Sequence, residues 1–70
     1  MNIVFTDHVE ERLKRRKITK QEIIDAIRYP DKTIKKYGKY YYQKKLQRGT
    51  IEVSCGKTEQ EINIITVYWL

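Results

Sequence analysis

The sequence changes its period at Pro30, and that change dictates a helical first part and a strand-built second part. Proline fixes its own φ and pushes the residue before it out of the helical region, so a helix entering from the N-terminal side ends near Tyr29. The start of that helix is also written in the chain. Thr19 can cap it, Glu22 completes a capping box three residues later, and Ile18 can pack on Ile23 as a hydrophobic staple. Ile23, Ile24 and Ile27 then recur at helical spacing. An earlier helix is expected after Thr6 or Asp7, since either can cap and Asp7 and Glu10 have capping-box spacing. Asp7, Glu10 and Glu11 suit its positive N-terminal end, and Lys14 to Lys17 its negative C-terminal end. Its apolar stripe is thin: Val9 and Leu13, flanked by Phe5 and Ile18. The short connection predicts that the two helices pack as an antiparallel-like pair.

From Lys32 onward the pattern is that of strands. Thr33 to Tyr37 predicts a short strand stopped by Gly38, and Tyr40 to Gln47 a longer one. Arg48-Gly49 predicts a two-residue hairpin turn, which would pair Gln47 with Thr50, Leu46 with Ile51, Lys45 with Glu52 and Tyr42 with Cys55. That register collects Tyr40, Tyr42, Leu46, Ile51, Val53 and Cys55 on one face and polar residues on the other. Lys44 is the exception on the apolar face, where it either snorkels at the sheet edge or marks a cleft between sheet and helix. Residues 56–61 predict a polar loop, and Ile62 to Trp69 a last strand beside Ile51 to Cys55. Ile62 and Ile64 face opposite to Ile65, Val67 and Trp69, which implies either a bulge or a strand covered on both faces. The expected fold is α+β, with two N-terminal helices on a three- to four-stranded antiparallel sheet.

A chain of 70 residues holds one domain, here expected over 1–70. Cys55 is the single cysteine, so no internal disulfide forms, and a reducing, cytoplasmic setting is the expectation. No apolar run approaches the roughly 18 residues of a membrane span. The first residues carry neither a basic region nor a long apolar one, unlike a secretory signal.

The formal charge of +6 comes from fifteen Lys/Arg against nine Asp/Glu, and it is segregated. Positions 12–17 hold five basic residues in six, and positions 32–48 hold seven basic residues and no acid. A solubilising surface does not require such blocks, so a polyanion such as RNA, or an acidic protein, is the expected partner. In the second block Tyr37, Tyr40, Tyr41 and Tyr42 alternate with lysines, a pattern that suits single-stranded RNA. Strand preference and core packing account for tyrosines equally, so Tyr41, which points outward with Lys45, is the better stacking candidate. In the first block His8, Arg12, Arg15 and Arg16 share a helix face. Imidazole beside guanidinium groups is what RNA cleavage uses, the ring moving a proton and the arginines holding phosphate. The plainer reading is a first-turn histidine and a solvated arginine face. With one His and one Cys, the chain implies no metal site, and no motif implies a cofactor. Cys55 reads as a small apolar strand residue rather than a reactive thiol.

Phe5-Thr6-Asp7-His8, Arg12, Arg16, Ile18-Thr19 and Glu22, together with Ile65 to Tyr68, resemble a family of small uncharacterised domains similar to the RelE/ParE-like toxin superfamily, including BrnT-type toxins. That resemblance implies a RelE-like arrangement of helices on a small antiparallel sheet. It also implies mRNA cleavage, often at the ribosome, and neutralisation by an antitoxin. His8, Arg12 and Arg16 match the smaller family's pattern and would be the catalytic set. Lys44, Lys45, Arg48 and Tyr68 resemble, in type and place, the basic and aromatic residues that RelE-type enzymes carry on the sheet and C-terminal end. With Arg15 and Tyr41 they form the expected nucleic-acid-binding set. A non-catalytic RNA or ribosome binder and a protein-interaction module are the alternatives.

Overall fold

Two capped helices lead the chain into its sheet. The structure, a computed structural model, describes residues 2–70. A short strand β1 (Asn2–Val4) precedes α1 (Asp7–Arg16) and α2 (Lys20–Arg28), and β2 (Lys32–Lys36), β3 (Lys39–Leu46), β4 (Gly49–Lys57) and β5 (Glu61–Trp69) follow. Thr6 is the cap of α1, its hydroxyl accepting from the Val9 N–H, and Asp7 lies within the first turn. At α2 the capping box is complete: Glu22 N–H donates to the Thr19 hydroxyl, and Thr19 N–H to the Glu22 carboxylate. Ile18 and Ile23 are both buried beside it, as a staple requires. The helices do not pack as a pair. α1 lies on β5, and α2 lies on β3 and β4. Nine- and ten-residue helices with narrow apolar stripes bury more by lying side by side on a sheet than on each other.

The strands form one five-stranded mixed sheet in the order β1-β5-β4-β3-β2. This corrects the expectation of three to four antiparallel strands. β2 to β5 are antiparallel neighbours, but β1 runs parallel to β5, with Ile3 opposite Ile62. Three residues are too few to show a period, so β1 carries no signal of its own. It forms because β5 has an outer edge and Ile3 packs against the core.

The β3–β4 register also differs. Leu46 pairs Gly49, Lys45 pairs Thr50 and Gln43 pairs Glu52, so the turn is Gln47-Arg48 and not Arg48-Gly49. The slip is two residues, which leaves every side chain on its expected face, because side-chain direction repeats every two residues. Gly49 begins β4 at φ +140°, with the Trp69 ring 3.4 Å from where a Cβ would stand. The positive φ is what favours glycine there, since a Cβ would meet the indole only at ordinary contact distance.

In β5 the mixed pattern is resolved by a bulge. Ser54 pairs Thr66 but Cys55 pairs Ile64, so Ile65 is the extra residue and is exposed. The inserted residue reverses the alternation, and Ile62, Ile64 and Val67 all reach the core. That core lies between the helices and one sheet face, and joins Val9, Leu13, Ile18, Ile23 and Ala26 to Tyr42, Ile51, Val53 and Cys55.

Candidate nucleic-acid interface

The helices cover one face of the sheet and leave the other open. Alternation and register place two rows of side chains across the open face. Lys32, Gln43, Glu52 and Tyr68 form one row, and Ile34, Tyr41, Ser54 and Thr66 the next. Glu52 sits on the central strand and is only 8% exposed despite facing away from the helices. Its carboxylate is held from both sides, by Gln43 Nε2 at 2.7 Å and by the Tyr68 hydroxyl. That bond, then desolvation, push the Tyr68 phenol up from 10.0 to about 12.

The neutral phenol is the donor in this bond, so its folded value lies above its unfolded one. Stability from the pair is whole below pH 10 and lost as pH rises through about 12. The expected result in an ultraviolet titration is one phenol ionising later than the others, and its disappearance in Tyr68→Phe. A Tyr68→Phe protein that keeps the late phenol would refute this assignment.

The first basic block is largely engaged within the molecule. Past Asn63, where β1 ends, the outer edge of β5 has no strand partner among the described residues, and α1 closes it. The Arg16 guanidinium donates to the Val67 carbonyl, and Trp69 Nε1 returns a bond to the Arg16 carbonyl at 2.9 Å. Arg12 Nη1 donates to the Thr66 hydroxyl at 2.8 Å. Arg15 pairs with Glu11 one turn away, and Lys20 with Glu10. His8 is exposed, and its ring takes no hydrogen bond among the described residues. Thus Arg12 and Arg16 converge on β5, and His8 does not meet Lys44, Lys45, Arg48 or Tyr68.

Of the expected binding residues, three are also engaged. Lys44 Nζ donates to the Tyr29 carbonyl at 2.7 Å, finishing the C-terminal end of α2, which accounts for a lysine on the apolar face. Arg48 donates to the Lys17 carbonyl and to Glu22, and its guanidinium lies over Trp69, 5.5 Å from the ring centroid. The hydrogen bond from Arg48 holds the Glu22 carboxyl below its ordinary range. Tyr68 is engaged with Glu52. Tyr41 and Lys45 remain available on the open face.

The second basic block is different. Lys32, Lys35, Lys36, Lys39, Lys45 and Lys57 take part in no salt bridge among the described residues. Most gather where β2 turns into β3. Tyr37, 86% exposed, stands at that turn with φ +53°, and Gly38 follows at φ +73°. Lys36 Nζ lies 5.3 Å from the Tyr37 ring centroid. On the helix-side face of the same end, the Tyr40 and Tyr42 rings stack with centroids 6.1 Å apart. Lys35 and Lys57 approach Tyr40 at 5.4 and 4.6 Å. Sequence reasoning missed Lys57, which lies outside the basic block and enters only through strand pairing. Glu59 and Glu61 follow it, so the basic surface is confined to β2, β3 and Lys57. Cys55 is fully buried, and burial pushes its thiol up to about 12, so it is a protonated apolar strand residue at neutral pH.

No helix is long and apolar enough to cross a membrane among the described residues. Residues 5–69 match the model of a family described as "Domain of unknown function (DUF4258)". Comparison with curated proteins and with solved structures finds no match.

Proposed function

The chain belongs to the DUF4258 family, and from that starting point we propose that it is a toxin-like domain that binds single-stranded RNA through the lysine- and tyrosine-bearing end of its sheet. One observation carries the reading: the basic residues of α1 and α2 are mostly engaged internally, whereas those of β2 and β3, Lys44 apart, form no salt bridge and no side-chain hydrogen bond among the described residues. Ammonium groups left without carboxylates, beside the exposed Tyr37 ring and the half-buried Tyr41 ring, offer phosphate neutralisation and base stacking together. An acidic antitoxin would cover the same lysines.

Cleavage of mRNA is the second reading. It is favoured by one contact, the Arg12 bond to Thr66, which brings the helix face of His8 to the rim of the open face. There His8 would move the proton and Arg12 would meet the phosphate.

The test is fluorescence anisotropy of a labelled single-stranded RNA across a salt series. About four lysine–phosphate contacts give a slope near −3 in log affinity against log salt, at about 0.7 per phosphate. Binding that is absent, or flat in salt, refutes the proposal. The same mixtures run on a denaturing gel decide cleavage: RNA left intact, free and on ribosomes, removes the second reading and leaves the first standing.

A further inference from the structure

We propose that the hollow beside Tyr41 on the open face is a guanine-binding subsite, in which Glu52 accepts the donors of the base edge; this rests on the RNA reading above. The hollow is shallow and open, is lined by Ile34, Lys36, Tyr37, Tyr41 and Glu52, and has a volume of about 370 Å³. Its walls are of four chemical kinds, one of them the Lys36 ammonium at its border. Tyr41 and Tyr37 offer ring faces, Ile34 an apolar surface, and Glu52 a carboxylate.

The carboxylate decides what can enter. A phosphate is repelled by it and belongs on the lysines, whereas an N–H donor is drawn to it. An ionised carboxylate has about four acceptor positions, and Gln43 and Tyr68 use two of them. The remaining two suit a pair of adjacent donors. Guanine presents such a pair, N1–H and N2–H; adenine and cytosine present one amino group there, and uracil one ring N–H. The two existing bonds also fix the carboxylate before any base arrives, so little ordering is left to be done on binding. Lys36 borders the same hollow and is placed for the flanking phosphate.

The experiment uses the full chain and labelled oligouridine carrying one guanosine, inosine, adenosine or no substitution. The guanosine oligomer should bind at least about tenfold tighter than the inosine one, which lacks only the N2 amino group. Glu52→Gln should abolish that preference, read as the ratio of guanosine to inosine oligomer affinity. Tyr41→Ala removes the ring beside the carboxylate and should weaken every oligomer while bringing the guanosine-to-inosine ratio toward one, and that ratio decides the matter if Glu52→Gln does not fold. Equal binding of guanosine and inosine oligomers overturns the proposal, and so does a preference that survives Glu52→Gln. Salt-dependent binding without base preference removes the subsite alone, whereas no binding to any oligomer removes the RNA reading with it.

Discussion

Replacing Ile23 with alanine should cost about 2–5 kcal/mol, the largest loss expected from any single side chain on α2. Ile23 is fully buried where α2 meets β3 and β4. Removing three carbons there forfeits transfer energy and leaves a void that a packed sheet cannot fill. A chain of this length has roughly 4–10 kcal/mol of stability at about 0.05–0.15 per residue, so the variant should stand near its unfolding midpoint at physiological temperature. In urea the midpoint should fall by roughly 2–5 M at an m-value near 1 kcal/mol/M. Ile24 and Ile27 belong to the same stripe by spacing, but each is only half-buried. Ile24→Ala should therefore cost less than half as much. Equal losses at Ile23 and Ile24 would mean that α2 is rotated on the sheet relative to the structure.

That contrast shows what helical spacing can and cannot say. Spacing and capping chemistry are local, so Thr19, Glu22 and Pro30 fix the bounds of α2 without knowledge of its partner. Which isoleucine is central depends on the tilt of the helix on the sheet, and that is a tertiary quantity. The same division runs through the strands. Alternation assigned Tyr40, Tyr42, Ile51, Val53 and Cys55 to the core face, where they lie. It could not separate two registers that differ by two residues, because both give the same faces. The difference shows at Gly49, which begins β4 at φ +140°, a backbone conformation that favours glycine and that alternation does not record.

The two-residue slip is also why the centre of the open face was not legible. In the expected register Glu52 faces Lys45 and is half of an exposed ion pair. In the observed one it faces Gln43 on one side and Tyr68 on the other, and becomes a buried, doubly bonded carboxylate. The arginines failed for a related reason. A helix wheel puts Arg12 and Arg16 on one face, but it cannot show that β1 is too short to cover the edge of β5. Arg16 meets that edge with its guanidinium, so its first task is structural. The lysines of β2 and β3 were legible because residues 32–48 carry no acid, and β2 proves to be an edge strand. Lysines on an exposed edge also deter pairing with other chains, which is the ordinary reason to find them there.

Charge reversal at Lys35, Lys36 and Lys39 separates that ordinary role from RNA binding. If these lysines only guard an edge, their loss leaves RNA untouched. If they neutralise phosphates, the triple glutamate variant should lose at least about a hundredfold in RNA affinity near 0.1 M salt, since each phosphate contact contributes about 0.7 decade there and three are removed. The slope of log affinity against log salt should flatten by about 2 for the same reason. All three side chains are exposed and take part in no salt bridge among the described residues, so the fold should tolerate the change. A matched control reverses Lys14 and Arg15 on α1, which carry the first basic block. That variant should keep most of its affinity. Circular dichroism confirms that both proteins are folded, and anisotropy gives the two slopes. If the α1 variant loses the RNA and the β2–β3 variant retains it, the interface lies on the helix bearing His8, and the sheet-end reading is wrong.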